Sequence, residues 1–211
     1  MKEVLINDKP EVIGWHKTFF LERYLQKVNP LDFKIVFDIG ACDCQESLTF
    51  MKLFPNADIT AFECSPQLLS TCRDNIKGFE HRITLVEKMI TDIPENNKFY
   101  MCQGGQSSLC RPNFWNIPIN VPSMRLDQYL GEDNIDLVWI DVQGAELNVL
   151  RSFGKKLKNV KTIYCEVDIE NERYETESNL KTVTEYLSDF TISDSMRLNK
   201  NEMHVIFEVN A

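Results

Sequence analysis

The stretch KIVFDIGACDCQES, Lys34 to Ser47, decides how this chain is read. Three apolar residues, Ile35 to Phe37, run into Asp38, a single glycine follows at Gly40, and a helical pattern begins a few residues later. That is the order of a first strand, a tight turn and a helix in a nucleotide-binding domain. Gly40 allows a close approach of backbone that a side chain would block. The remaining turn positions are not glycine, because Cys42 and Cys44 stand there.

Working outward, short β-rich runs recur at 34–39, 58–63, 82–87, 135–142, 160–167 and 203–209. Most are almost continuously apolar, as strands covered on both faces are. Helical patterns lie between them. Asp43 and Glu46 have the spacing of a capping box, and Ser65-Pro66 reads as an N-cap and first-turn proline. Gly154 reads as the residue that ends the helix after Asp141, and Glu146 as a structural carboxylate in that helix's first turn. Strand and helix in alternation predict an α/β fold with a doubly wound, mostly parallel sheet. The expected strand order is 3-2-1-4-5, with a final antiparallel pair at one edge. The whole chain, 1–211, is expected to be one domain. Residues 1–30 would form a helical extension or lid, and 31–211 the core.

Composition limits the function classes. A net charge of -9 argues against a nucleic-acid surface, which needs clustered Lys and Arg. Seven cysteines, an odd number without a C-x-x-C pair, read as reduced thiols of a cytoplasmic protein. No apolar run approaches 18 residues, so no membrane span is expected, and the N-terminus lacks the apolar core of a secretory signal. Cys42 and Cys44 have no matching Cys or His pair nearby, and no metal site is expected.

Ligands of such sheets bind beyond the carboxyl ends of the strands. Asp38, Glu63, Glu87 and Asp141 stand at those ends. Asp38 has the position to bind an ammonium group or to order the turn. Glu63, 25 residues further on, suits the two hydroxyls of a ribose. A nicotinamide dinucleotide would need a glycine-rich turn for its pyrophosphate; here Asp43 puts negative charge at that place. A phosphate-free cofactor with a cationic centre suits the turn better, and S-adenosylmethionine is one.

With those residues in view, the segment VFDIGACDCQESLTFMKLFPNADITAFECSPQLLSTCRDNI resembles the opening of the FkbM-type methyltransferases. That family usually shows D-x-G-A-N-x-G-x-x-S, then A-F-E-P-x-P. RITLVEKMITD, GGQSSL and VPSMRLDQYL resemble its next segments. IDLVWIDVQGAELNVLRSF is close to its I-D-x-x-x-I-D-x-E-G-A-E-x-x-V-L, and IYCEVDIENERY resembles its fifth strand. The likeness runs from about residue 34 to the C-terminus. It implies a Rossmann-like class I fold, S-adenosylmethionine as cofactor, and O-methylation of a hydroxyl on a sugar, glycan or small metabolite. Cofactor contacts are expected at Asp38, Gly40, Ala41, Cys42, Glu63, Cys64, Glu87, Met89, Ser107, Ser108 and Asp141, with Met89 and Ile90 as an adenine wall.

Asp141 is the expected catalytic base, and Glu166 a wall of the acceptor pocket. Ser107 and Ser108 are read equally as cofactor or acceptor contacts and as loop caps. Trp115 is read as a packed loop aromatic in preference to an acceptor-stacking one, and His16 as a structural or exposed histidine, with a place in an N-terminal lid as the alternative. Cys42, Cys44, Cys64 and Gln143 replace the usual Asn, Gly, Pro and Glu. These departures keep a second reading open, a cofactor-binding protein of the same fold with weakened catalysis. A nicotinamide-dependent oxidoreductase stands behind both.

Overall fold

The computed structural model describes residues 15–102 and 105–210. Residues 1–14, the start of the expected extension, and Gly104 of GGQSSL lie outside them. So does the side chain of His16, and with it the lid reading.

Seven strands form the central sheet: β1 (Ile35–Ile39), β2 (Asp58–Phe62), β3 (Ile83–Val86), β4 (Ile135–Ile140), β5 (Val160–Asp168), β6 (Phe190–Arg197) and β7 (Glu202–Val209). Their order is β3-β2-β1-β4-β5-β7-β6. The first five are parallel, and β7 runs antiparallel to both β5 and β6. The expected 3-2-1-4-5 order with an antiparallel end is present, with one difference. The MHVIFEV strand is not the outermost; it inserts between β5 and β6. Sequence reading did not find β6, because its side chains alternate with no sustained apolar run and most stay partly exposed.

The period of two in a strand sends neighbouring residues to opposite faces. Val36, Leu137 and Trp139 join one cluster with Phe50 and Leu53. Phe37, Val138 and Ile140 join the other with Leu147, Leu150 and Val183. Helix α1 (Trp15–Leu25), α2 (Gln45–Leu53) and α3 (Leu69–Asn75) cover the first face; α4 (Leu126–Tyr129), α5 (Glu146–Ser152) and α6 (Leu180–Tyr186) cover the second. All six residues of β4 are buried, and all but Asp136, which accepts from Lys34 N and Ile35 N, are apolar. α1 is bound to the sheet through Phe20, Leu21 and Tyr24, and Tyr24 donates to Thr162 Oγ1 at 3.0 Å. Arg23 pairs with Asp194 of β6, and Lys27 lies 3.2 Å from the same carboxylate.

The turn after β1 is the place where the sheet changes direction of winding. Gly40 N and Ala41 N donate to Phe62 O, and Asp141 N donates to Ile39 O. These bonds bring the ends of β1, β2 and β4 together. Gly40 has φ +86°, and a Cβ there would stand 1.9 Å from the Asp141 carbonyl oxygen. The expected capping box is not formed. The N-cap of α2 is Cys44, in the left-handed region with φ 63°, and Asp43 Oδ1 accepts from Gln45 N instead. Ser65 likewise does not cap α3; its carbonyl accepts from Leu68 N and Leu69 N, and the helix starts at Leu69.

Beyond the carboxyl ends of the strands, the chain between β3 and β4 builds two small ladders within itself and a third with the segment that follows β5. Lys98–Met101 pairs with Ile117–Asn120, Met89–Ile90 with Ser123–Met124, and Arg111–Pro112 with Tyr174–Glu175. They roof the crevice. Under the roof, Glu146 at the start of α5 is buried. It accepts from Gly144 N at 2.9 Å and from Ser178 Oγ at 2.6 Å. Burial pushes its carboxyl up to about 7, against the pull of those two donors.

Two outcomes follow from this geometry. Gly40→Ala adds a backbone clash to a strained φ, and strain of this kind costs about 1–3 kcal/mol. Its melting temperature should fall by about 5 °C or more, at 2–4 °C per kcal/mol for a chain of this size; an unchanged melting curve would remove Gly40 as the junction. Glu146 binds its proton more tightly folded than unfolded, so its contribution to stability is full below its ordinary pKa and is lost as pH rises through about 7. The melting temperature of Glu146→Gln, measured against the parent from pH 5 to pH 8, should therefore gain on the parent as pH rises. A constant difference across that range would refute the assignment.

Candidate active site

The carboxyl ends of β1, β2 and β4 and the roof line a cleft that is partly open to solvent. Gly40, Cys42, Glu63, Cys64, Met89, Ser107, Ser108 and Asp141 all line it. So eight of the residues singled out from sequence meet at one place.

Three others do not line it. Asp38 is buried beneath the turn and accepts from Ser47 Oγ at 2.5 Å, so its position suits ordering of the loop. Ala41 is buried in the core cluster of the first face. Glu87, expected to contact adenine or ribose, is not in the lining of the cleft. Its carboxylate takes a two-pronged bond from Arg73 at 2.7 and 2.8 Å on the surface, and Lys88 lines the cleft in its place.

Glu63 organises the turn. Its Oε2 accepts from Cys42 N at 2.8 Å, and its Oε1 accepts from Cys64 N at 2.8 Å and Ser65 N at 2.7 Å. Burial raises its pKa, and the three amides of Ser65, Cys64 and Cys42 oppose that rise. A carboxylate has about four acceptor positions, so three amides leave room for about one more donor. The reading of Glu63 as acceptor for two ribose hydroxyls is thereby narrowed to one, at this side-chain position.

The cysteine positions are not permissive bystanders. Cys42 has φ 53° and Cys44 φ 63°, both in the region that glycine enters without strain. Neighbours hold the turn there: Cys72 Sγ donates to Cys42 O, and Asn75 Nδ2 donates to Asp43 O at 2.8 Å. Burial, with Asp43 and Glu63 nearby, pushes the Cys42 thiol up to about 12. The Cys72 thiol and burial raise Cys44, and burial raises Cys64. Thiols so raised stay protonated at neutral pH, and a protonated thiol is neither a good nucleophile nor a metal ligand. Among the described residues no group of three or more His, Cys, Asp or Glu side chains is arranged to hold a metal ion.

On the opposite wall Asp141 is half-buried. Its Oδ1 accepts from Gln143 Nε2 at 2.7 Å, and the same nitrogen lies 3.3 Å from Glu166 Oε1. Gln143 Oε1 accepts from the Tyr174 hydroxyl at 3.1 Å. Two carboxylates need the amide nitrogen and the phenol supplies the amide oxygen's donor, so the carboxamide has one orientation. Gln143 too has a positive φ, 55°. Ser108 Oγ donates to Val142 O and accepts from Cys110 N, while Ser107 Oγ accepts from Cys102 N. Both hydroxyls brace the roof.

Sequence reasoning missed Ser65, Phe62, Phe99 and Leu109 in the lining. Ser65 Oγ is buried with no hydrogen-bond partner, which is costly unless a ligand supplies one. Its position two residues after Glu63 was the available signal. This donor, the acidic Glu63 and Asp141, and the apolar Phe62, Met89 and Ile90 fit a nucleoside that carries a cation rather than a pyrophosphate.

Comparison with known proteins agrees with that fit. The family model described as the methyltransferase FkbM domain matches residues 38–192. The chain is 29% identical over 188 residues to the 2-O-methyltransferase NoeI of Sinorhizobium fredii, covering 80% of this chain and 75% of that protein. Among solved structures it resembles the FkbM methyltransferase of Methylobacillus flagellatus, with TM-score 0.58 and 14% identity over 83% of this chain and 44% of that one. It also resembles the precorrin-6y C5,15-methyltransferase of Geobacter metallireducens, with TM-score 0.54 and 21% identity over 96% and 93% of the two chains. The fibrillarin of Aeropyrum pernix, with S-adenosyl-L-methionine natively bound, shares the fold at TM-score 0.53 and 12% identity over 90% and 74%. The chain belongs to the FkbM family of methyltransferases, and S-adenosylmethionine is its cofactor.

Proposed function

We propose that this methyltransferase transfers its methyl group to a hydroxyl of a sugar or glycan, with Asp141 as the base. The observation that carries the reading is Asp141, which lines the cleft with Glu63 and is joined behind it through Gln143 to Glu166. The relative named a 2-O-methyltransferase supports an oxygen acceptor. Two neighbouring carboxylates, with Gln143 between them, keep further acceptor positions, which suits a ligand that carries several hydroxyls. No helix among the described residues is long and apolar enough to cross a membrane.

When bound, S-adenosylmethionine supplies a methyl group on a positively charged sulfur. The chain's own residues do the rest. Glu63, held in place by the Cys42, Cys64 and Ser65 amides, and the Ser65 hydroxyl bind the nucleoside side of the cleft. Met89, Ile90 and Phe62 exclude water from it. Asp141 orients the acceptor hydroxyl and holds the proton that leaves the oxygen as it gains carbon. Gln143 keeps the Asp141 carboxylate turned toward the cleft. Displacement at carbon gains most of its rate from such positioning, and a base adds to it.

Glu63→Ala should weaken binding of the demethylated cofactor by at least about tenfold in calorimetric titration, since a hydrogen bond to a charged group contributes roughly 1.5–3 kcal/mol. A lower melting temperature should accompany it, because three backbone amides lose their acceptor. Unchanged affinity would move the cofactor elsewhere. Asp141→Asn should slow methyl transfer to a carbohydrate that the parent accepts by about 10²-fold or more, with cofactor affinity altered only a few-fold. Parental turnover in this variant would assign the base role to another group, Glu166 first. A parent that binds the cofactor tightly and methylates no acceptor would favour the weakened-catalysis reading, which the strained backbone at Cys44 and Gln143 keeps in view.

A further inference from the structure

We propose that Phe114 and Trp115 form a lip that stacks against the ring of a sugar unit next to the methylated one. The inference rests on the carbohydrate reading above and extends it to a second subsite.

Trp115 is 63% exposed, and Phe114 and Ile117 are 38% and 41% exposed. The expectation that Trp115 packs into its loop is therefore not met. Three large apolar side chains within four residues of each other stand in water, at a cost of about 25 cal/mol per Å². Grouped exposure of this kind marks a binding surface more often than single exposed side chains do.

The segment is braced from below. Pro112 and Arg111 pair with Tyr174 and Glu175. Asn113 N donates to Arg173 O, and Asn113 Nδ2 donates to Glu172 O at 2.9 Å. Asn116 Nδ2 donates to Phe114 O at 2.8 Å. The aromatic side chains are thus carried on an ordered strip, and a surface ordered in advance loses little entropy on binding.

The strip is continuous with the catalytic wall. The Phe114 ring meets Tyr174 edge-on at 5.8 Å. Tyr174 donates to Gln143, and Gln143 donates to Asp141. Tyr174 also closes over Gly144, where a Cβ would come within 3.1 Å of its ring. One ring is therefore packed against the residues of the cluster, the next lies against it, and Trp115 follows toward solvent.

The size and surroundings of the lip select the occupant. A stable protein interface buries roughly 800 Å² per partner, far more than two side chains provide. The net charge of -9 gives an anionic membrane or a nucleic acid no attraction. A sugar ring matches: its C–H face lies on the electron-rich face of an aromatic ring, and its hydroxyl rim meets polar neighbours. The exposed Arg111–Glu175 pair at 3.7 Å supplies such neighbours beside the strip.

The test uses the full chain with the methyl donor and a set of neutral oligosaccharides one to four units long. Trp115→Ala should raise KM for acceptors of two or more units by about tenfold, with kcat changed less than twofold. Affinity for the demethylated cofactor and the melting temperature should stay at parental values, and Trp115→Phe should recover most of the lost affinity. If Trp115→Ala methylates such oligosaccharides with the parental KM, the lip is wrong while the carbohydrate reading survives. If the parent methylates none of the set but does methylate hydroxyls of another class, the carbohydrate reading falls and the lip falls with it.

Discussion

The close contact between the Gly40 turn and the Asp141 carbonyl is the constraint on which the rest of the structure depends. A Cβ at Gly40 would lie 1.9 Å from that oxygen. Because it is absent, the ends of β1 and β4 can lie side by side while the chain leaves them in opposite directions, α2 on one face and α5 on the other. The crevice opens where they part. Glu63 approaches from one side through its bonds to the turn amides, and Asp141 from the other. A single missing methylene thus lets the two carboxylates line one cleft.

The fold was largely legible in the sequence, for a simple physical reason. Strands covered on both faces are apolar at most positions, and β1, β4 and β5 announce themselves that way, with their charged residues near the ends. β6 did not, because an edge strand that is half in water carries Thr, Ser and Asp as readily as Ile. The site was legible where a residue type is forced by its place at a strand end, as for Gly40, Glu63 and Asp141. It was not legible where direction matters. Nothing in the string of letters says that Glu87 turns outward to Arg73, or that the Glu63 carboxylate spends three of its acceptor positions on its own backbone.

The positive φ values at Cys42, Cys44 and Gln143 concern the same region. Each lies in a segment that touches the cleft or supports its floor, and each carries a side chain where glycine is easier. Such strain persists only when neighbours over-determine the conformation. Here those neighbours are visible: Cys72 and Asn75 hold the first turn, and Asp141, Glu166 and Tyr174 hold the second. The carboxamide of Gln143 also has a consequence for charge. It is neutral between two acids, so this cluster carries two carboxylates rather than the three that glutamate at this position would give.

The outer strand β6 has a bearing on how molecules of this protein behave in a crowd. An open sheet ends in a row of unpaired backbone groups, and a flat edge invites the edge of another molecule to continue it. β6 is not flat. Its register slips between Ile192 and Asp194, and the Asp194 side chain is drawn to Arg23 and Lys27 of the first helical segment. At the far side of the sheet β3 is only four residues long. A distorted, charge-clamped margin on one side and a short one on the other leave little length for edge-to-edge growth, so the sheet can stay open without becoming a template for fibres.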